Sequence, residues 1–264
     1  MTSTPILPGK GLATALGFAV LALALGSGRH ASAQEFGTIK GRLVWGGSTP
    51  PAAAPKVKKG DTAAKDAAVC AAQDVPDEDY VVDPATNGVA NGFAYVVGPK
   101  GTNPDAEAAL LSKTTEVVVD QKGCRFIPHA VAMHKAQSLT FKSTDPVGHN
   151  IRYTTFANGG MNQMLAPNGS MSKTFTAAER NPTELRCDIH PWMNGYFMVF
   201  DHPFFAVTKA DGSFEIKGVP AGAQKVIVRQ EKAGFVTKGG NKGVDVQVTA
   251  GGVADMGDIV LTPK

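Results

Sequence analysis

Within the stretch Cys187-Asp188-Ile189-His190-Pro191-Trp192-Met193, the chain places a thiol, an imidazole and a thioether close together. These form a soft donor set, which suits copper cycling between Cu(I) and Cu(II) better than a hard cation. A fourth donor has to come from elsewhere, and His149, in Pro146-Val147-Gly148-His149-Asn150, is the best candidate. Two His and one Cys in a plane, with a weak axial Met, make a blue-copper electron-transfer site. A lone His in a β protein is ordinarily a surface or hydrogen-bonded core residue, and a lone Met is ordinarily core. The assignment therefore rests on the joint pattern and not on any one residue.

For these side chains to meet, two loops at one end of a β sandwich must lie side by side. Short β-type runs at 93–97, 116–119, 138–142, 150–155, 172–175, 183–186 and 196–200 are separated by Gly, Pro, Asn and Asp turns. Such spacing predicts an all-β sandwich or barrel. His149 falls just before the run at 150, and the Cys-His-Met loop lies between the runs ending at Arg186 and starting at Tyr196, so both candidate loops sit at strand ends. Residues 37–45 alternate like a strand, 46–60 read as a Pro/Ala/Lys-rich linker or surface loop, and 62–73 as a short helix carrying Cys70. Asn103-Pro104-Asp105 opens a capped helix of a turn or two. From His202-Pro203 onward the texture changes. Runs at 204–209 and 213–217 around Asp211-Gly212 read as a hairpin, and 224–229, 244–249 and 253–261 complete a small antiparallel module. The arrangement in which 37–45 joins that module, so that the first sandwich is inserted between its strands, is preferred.

Composition fixes the compartment more than the partner. The 264 residues carry 26 Lys and Arg against 23 Asp and Glu. Lys10, an apolar run at 11–25 and the small-x-small sequence Ala31-Ser32-Ala33 form a secretory signal, too short in its apolar part for a membrane span of ~20 residues. The rival reading keeps that segment as an N-terminal anchor. Cleavage after Ala33 removes Lys10 and Arg29 and leaves 24 basic and 23 acidic residues, so the net charge of the mature chain says little about partners. No basic run or aromatic-basic interleaving points to nucleic acid. Three cysteines, Cys70, Cys124 and Cys187, lie in the exported part. In an oxidising compartment two should pair and one is left over.

The stretch CDIHPWM resembles the ligand loop of the cupredoxins, in the short spacing of the amicyanin type. Phe126-Ile127-Pro128, then Ser138-Leu139-Thr140-Phe141, then Gly148-His149-Asn150 are similar to the strand that leads to the first His ligand in that family. The resemblance covers roughly residues 90–200. The wider layout resembles the methylamine-utilisation-like bacterial cupredoxin proteins, and the tail HPFFAVTKADGSFEIKGVPAG is similar to a carboxypeptidase-regulatory-like or transthyretin-like β sandwich. The resemblance implies an all-β chain with four parts: a signal at 1–33, a strand and Pro/Ala-rich segment at 34–88, a cupredoxin Greek-key sandwich at 89–202, and a smaller Ig/transthyretin-like sandwich at 203–264, possibly completed by 37–45. It makes His149, Cys187 and His190 the equatorial ligands of one type 1 copper and Met193 the axial one. Asn150 is expected to pin the two loops together. Pro191 and Trp192 are expected to shield the metal beside an exposed His190 edge and to form an apolar docking face. With Cys187 at the metal, Cys70 and Cys124 are expected to form a disulfide around a loop of about 54 residues. The rival is a second metal site at Cys124 and His129. His129 and His134 are five apart and would face opposite sides of a strand. Met161 and Met164 either line the copper face, bind transient Cu(I), or pack in a loop or the core, and packing is preferred.

The function that follows is a periplasmic or secreted electron carrier, not a catalyst. Its partners would be exported redox proteins such as c-type cytochromes or a dehydrogenase, and after signal cleavage it would have no membrane span. Copper delivery or storage is an alternative that lacks Met/His-rich loops. A nitrite-reductase-type enzyme needs a second copper, for which too few His remain. A binding role for the C-terminal sandwich lacks a visible aromatic platform, because Phe204, Phe205, Phe214 and Phe235 read as core.

Overall fold

The computed structural model describes Met1 and residues 35–51 and 54–263; the signal expected at 1–33 lies outside the described residues, apart from Met1. In chain order the first elements are β1 (Phe36–Trp45), α1 (Ala67–Cys70), β2 (Phe93–Val96), α2 (Pro104–Lys113), β3 (Glu116–Gln121), β4 (Phe126–Ile127), β5 (Ala130–His134) and β6 (Ser138–Ser143). Then come β7 (His149–Thr154), β8 (Gly160–Leu165), β9 (Ser170–Thr174), β10 (Thr183–Arg186) and β11 (Asn194–Phe200). The C-terminal part adds β12 (Phe205–Val207), β13 (Ser213–Pro220), β14 (Gly222–Gln230), β15 (Gly234–Phe235), β16 (Val244–Val248) and β17 (Val253–Leu261). The chain is all-β, as expected. None of the described helices is long and apolar enough to cross a membrane.

Four sheets stack in layers. The first, β4-β3-β6-β9, faces the second, β5-β11-β10-β7-β8, across a core that includes Val119, Phe126, Phe141, Ile151, Leu185 and Phe197. The third, β12-β2-β14-β15 with β16 on β14, faces the fourth, β13-β1-β17, across a core that includes Ile39, Leu43, Val96, Phe214, Val228 and Leu261. The second and third layers also meet, through Phe93, Tyr95, Ala130, Met198, Phe200 and Ile227. Strand alternation explains how one strand serves two cores. In β11, Phe197 and Val199 point into the first core while Met198 and Phe200 point into the seam. In β2, Ala94 and Val96 face one way and Phe93 and Tyr95 the other. Strands buried on both faces must be apolar throughout, which is why Phe93-Ala94-Tyr95-Val96 and Phe197-Met198-Val199-Phe200 read as unbroken hydrophobic runs.

The structure departs from the sequence reading in several places; the module expected to be antiparallel, for one, holds β1 parallel to β17. The strand at 93–97, assigned to the copper-type sandwich at 89–202, instead pairs with β12 and β14 in the other one. The hairpin at 204–217 does not form. Its turn is present, with the Gly212 N–H donating to the Lys209 carbonyl at 2.9 Å, but the arms diverge, β12 to β2 and β13 to β1. Of the helix at 62–73 only α1 is helical. Conversely α2 runs ten residues, capped by the Asn103 side chain accepting from Ala106 N–H at 3.0 Å and tied to β13 by Asn103 Nδ2 donating to the Gly218 carbonyl at 2.8 Å. The strand at 37–45 is the centre of the fourth layer, between β13 and β17, so both ends of the described chain build the second sandwich.

Candidate metal centre

The centre forms where β7 begins and β10 ends. These strands are neighbours in the second layer, which brings His149, the first residue of β7, beside the loop after Arg186. Cys187, His190 and Met193 lie in that loop or at its end, and the loop closes on itself through Met193 N–H donating to the His190 carbonyl at 2.9 Å. His149, Cys187, His190 and Met193 are all buried. The Nδ1 atoms of His149 and His190 are 3.1 Å apart, and Cys187 Sγ lies 3.7 Å from His190 Nδ1. One ligand atom from each of His149, Cys187 and His190 thus falls within 4.8 Å of the others. Met193 lies in the same core cluster as Cys187.

Asn150 joins the two loops. Its backbone N–H donates to Cys187 Sγ at 3.2 Å, and its side-chain oxygen accepts from the Asp188 N–H at 3.1 Å. Its Nδ2 donates to Asn162 Oδ1 at 2.7 Å, so β8 braces the same residue. Trp192 and Pro191 are placed differently from the expectation. Pro191 is exposed, but Trp192 packs against Val57, Ala71 and Val75 of the preceding segment rather than forming a free face. The expected exposed edge of His190 is also absent: its side chain is 0 % exposed, and Nε2 lies 2.9 Å from Asp66 Oδ2.

Two carboxylates escaped the sequence reading. Asp145 Oδ2 lies 2.9 Å from His149 Nε2, while the backbone N–H groups of Gly123 and Cys124 donate to Asp145 at 2.7 and 2.9 Å. Asp145 stands four residues before His149, a spacing that names a partner only once the loop between them is known to be tight. Asp66 is 124 residues from His190, and no local signal links them.

The electrostatics favour a thiolate beside a protonated imidazole. Burial works against a charge on His149, but hydrogen bonding to Asp145 and to Cys187 outweighs it and lifts the imidazole to about 9. Burial likewise opposes ionisation of Cys187, yet His149, His190 and the Asn150 N–H draw its pKa down to about 6. A thiol this acidic is largely thiolate at neutral pH. Two Nδ1 atoms at hydrogen-bond distance have to share a proton. A cation entering here would replace that proton and meet a thiolate already formed. One soft sulfur and two imidazoles, each with its far nitrogen held by a carboxylate, fit copper.

The other candidate residues fall outside this centre. Cys70 and Cys124 form a disulfide, with Cα atoms 5.1 Å apart, and Cys187 is the free thiol. His129 is buried against Glu231, with Nε2 2.6 Å from Oε2, and does not share a metal-type cluster with Cys124 among the described residues. His134 is buried at the end of β5. Met161 packs partly against the first core, whereas Met164, paired with Asn150 across β7 and β8, is exposed.

No protein-family model and no curated protein matches the chain. Among solved structures, a mutant amicyanin in its reduced Cu(I) form at pH 4 is 23 % identical, covering 32 % of this chain and 82 % of that one, with a TM-score of 0.30. A second mutant amicyanin, also Cu(I), is 20 % identical over 33 % of this chain and 84 % of that one, at 0.30. A copper-containing nitrite reductase from Thermus scotoductus SA-01 is 19 % identical over 32 % of this chain and 22 % of that one, at 0.28.

Proposed function

We propose that this chain is an exported one-electron carrier with a single type 1 copper held by His149, Cys187 and His190, with Met193 as the weak axial donor. The observation that carries the reading is the buried meeting of two imidazole Nδ1 atoms and one acidified thiol, delivered by two loops that Asn150 ties together. When bound, copper supplies a Cu(I)/Cu(II) couple at a site of this donor type. The protein supplies the rest. Asp145 and Asp66 hold the two imidazoles by Nε2, Asn150 donates to the sulfur, and burial excludes water. A rigid donor set suits electron transfer because little has to move when the charge changes. The partners would be exported redox proteins, such as c-type cytochromes or a dehydrogenase. The near-neutral mature chain predicts docking with little dependence on ionic strength.

The test is spectroscopic. The mature chain loaded with Cu(II) should bind one copper and show an intense visible thiolate-to-copper charge-transfer band, absent from Cys187→Ala. Wild type without the band, or Cys187→Ala with it, would overturn the ligand set. Two coppers per chain would turn the reading toward an enzyme.

A further inference from the structure

The segment at 56–75, which reads in sequence as a linker running into a helix, lies over the candidate centre. It folds back on itself: Lys56 N–H donates to the Val75 carbonyl and Val75 N–H to the Val57 carbonyl, both at 2.8 Å, and Gly60 N–H donates to the Ala71 carbonyl at 2.8 Å. Val57, Ala71 and Val75 form a small core of their own, completed by Trp192 of the ligand loop. The Cys70–Cys124 disulfide fastens the segment to the first sandwich. Its sulfurs lie within 4.8 Å of a His190 ring nitrogen, so the anchor is next to the site.

One residue of the segment reaches in. Asp66 stands at the start of α1, where an Asp normally caps a helix with its side chain. Here it makes no such bond, and its backbone is left-handed, at φ 54°, a region that Asp tolerates better than most residues. The carboxylate is turned away from the helix it precedes and meets His190 Nε2 at 2.9 Å instead. The arrangement repeats that of Asp145 on His149. Each imidazole therefore has its outer nitrogen held and its Nδ1 directed inward.

We propose that Asp66 is a positioning residue for the metal: it holds His190 from the disulfide-anchored segment at 56–75 and closes that edge of the centre to solvent and to redox partners. The inference rests on the proposed copper function for its consequence and on the hydrogen bond between Asp66 and His190 for its geometry. A carboxylate hydrogen-bonded to a ligand imidazole makes that ligand more basic and favours the more highly charged metal. Asp66 thus steadies Cu(II), and the closed edge slows copper exchange.

Two sets of measurements test it, on wild type, Asp66→Asn and Asp66→Ala. In the metal-free full-length protein, the His190 Nε2–H resonance should exchange slowly with water in wild type and in Asp66→Asn, which keeps an acceptor oxygen. It should exchange roughly tenfold faster or more in Asp66→Ala. In the copper-loaded proteins, release to a Cu(I) chelator after ascorbate reduction should be roughly tenfold faster or more in Asp66→Ala. The reduction potential should rise in Asp66→Asn, where the hydrogen bond survives and the charge is gone. A purely structural Asp66 would leave the potential of Asp66→Asn at the wild-type value, and that result overturns the proposal. So does unchanged Nε2–H exchange in Asp66→Ala. If wild type shows no charge-transfer band, the copper function fails by itself, and the metal-free resonance still decides whether Asp66 holds His190.

Discussion

At the scale of single residues, the candidate centre divides into what was legible and what was not. The meeting of Cys187 and His190 was legible because one short loop carries them, and that of His149 because it opens a strand that begins beside that loop. Asp145 and Asp66 were not, since a carboxylate gripping an imidazole leaves no periodic trace in sequence. The closed His190 edge was missed for the same reason, because what covers it comes from 124 residues away. Asn150 is the most exacting test at this scale. Its side chain makes three hydrogen bonds at the centre, to Asp188 N–H at 3.1 Å, Asn162 Oδ1 at 2.7 Å and the Gln163 carbonyl at 3.3 Å. Asn150→Ala should lower stability by about 1–3 kcal/mol, because the partners in this buried setting lose their counterpart. It should also shift the charge-transfer band, since the loop bearing Cys187 is then free to move. Denaturant unfolding and the visible spectrum measure the two effects, and an unmoved band would mean that the loop is held without Asn150.

At the scale of elements, strands were easier to read than their pairing. The runs at 116–119, 138–142, 183–186 and 196–200 all became strands, each within a few residues of its expected bounds. The hairpin at Asp211-Gly212 failed because a turn sequence fixes a local reversal and not which sheet each arm joins. The segment at 56–75 was read as the end of a linker running into a short helix, because its regular structure is short and its small core depends on Trp192, far along the chain. Its hold on the protein is covalent. Cys70→Ser together with Cys124→Ser reopens a loop of 54 residues. In the chain-entropy account this costs about 4 kcal/mol. Thermal unfolding of the double variant should show a correspondingly lower midpoint, and a midpoint equal to wild type would mean that the segment is held by its packing alone.

At the scale of the whole molecule, the two sandwiches were legible but not their layering. Hydrophobic runs in β2 and β11 signal burial on both faces without saying against what. The layers are joined by a buried pair as well as by apolar packing. His129, just before β5 of the second layer, meets Glu231, just after β14 of the third, and Glu78 lies 3.7 Å from the same ring. Burial alone would strip the His129 proton, but the hydrogen bond to Glu231 prevails and raises its pKa. Glu231 is pushed up by its own burial, although His129 pulls the other way. Both groups therefore bind protons more tightly folded than unfolded, so their stabilisation declines as pH rises. The His129 share is complete below the ordinary imidazole value of ~6.5 and is lost as pH climbs through the higher folded value. The difference in melting temperature between wild type and His129→Gln should accordingly narrow from pH ~6 toward alkaline pH. A difference that widens over that range would contradict the pairing.

The position of β1 between β13 and β17 bears on how the chain becomes this molecule. The first sandwich draws its strands from a contiguous stretch, Glu116 to Phe200, and can assemble before the strands after Phe200 arrive. The second cannot, because β1 runs parallel to β17, from Thr38 beside Val253 to Trp45 beside Leu261. Until that last strand arrives, one edge of a β-prone segment stands with its N–H and C=O groups unpaired, the configuration that invites aggregation. Lys40 and Arg42, which later pair with Asp255 and Asp258 at 3.2 and 3.4 Å, lie on that segment. Charged side chains on an unpaired strand disfavour its pairing with a second copy of itself, so before they become ion-pair partners these two residues can act as gatekeepers.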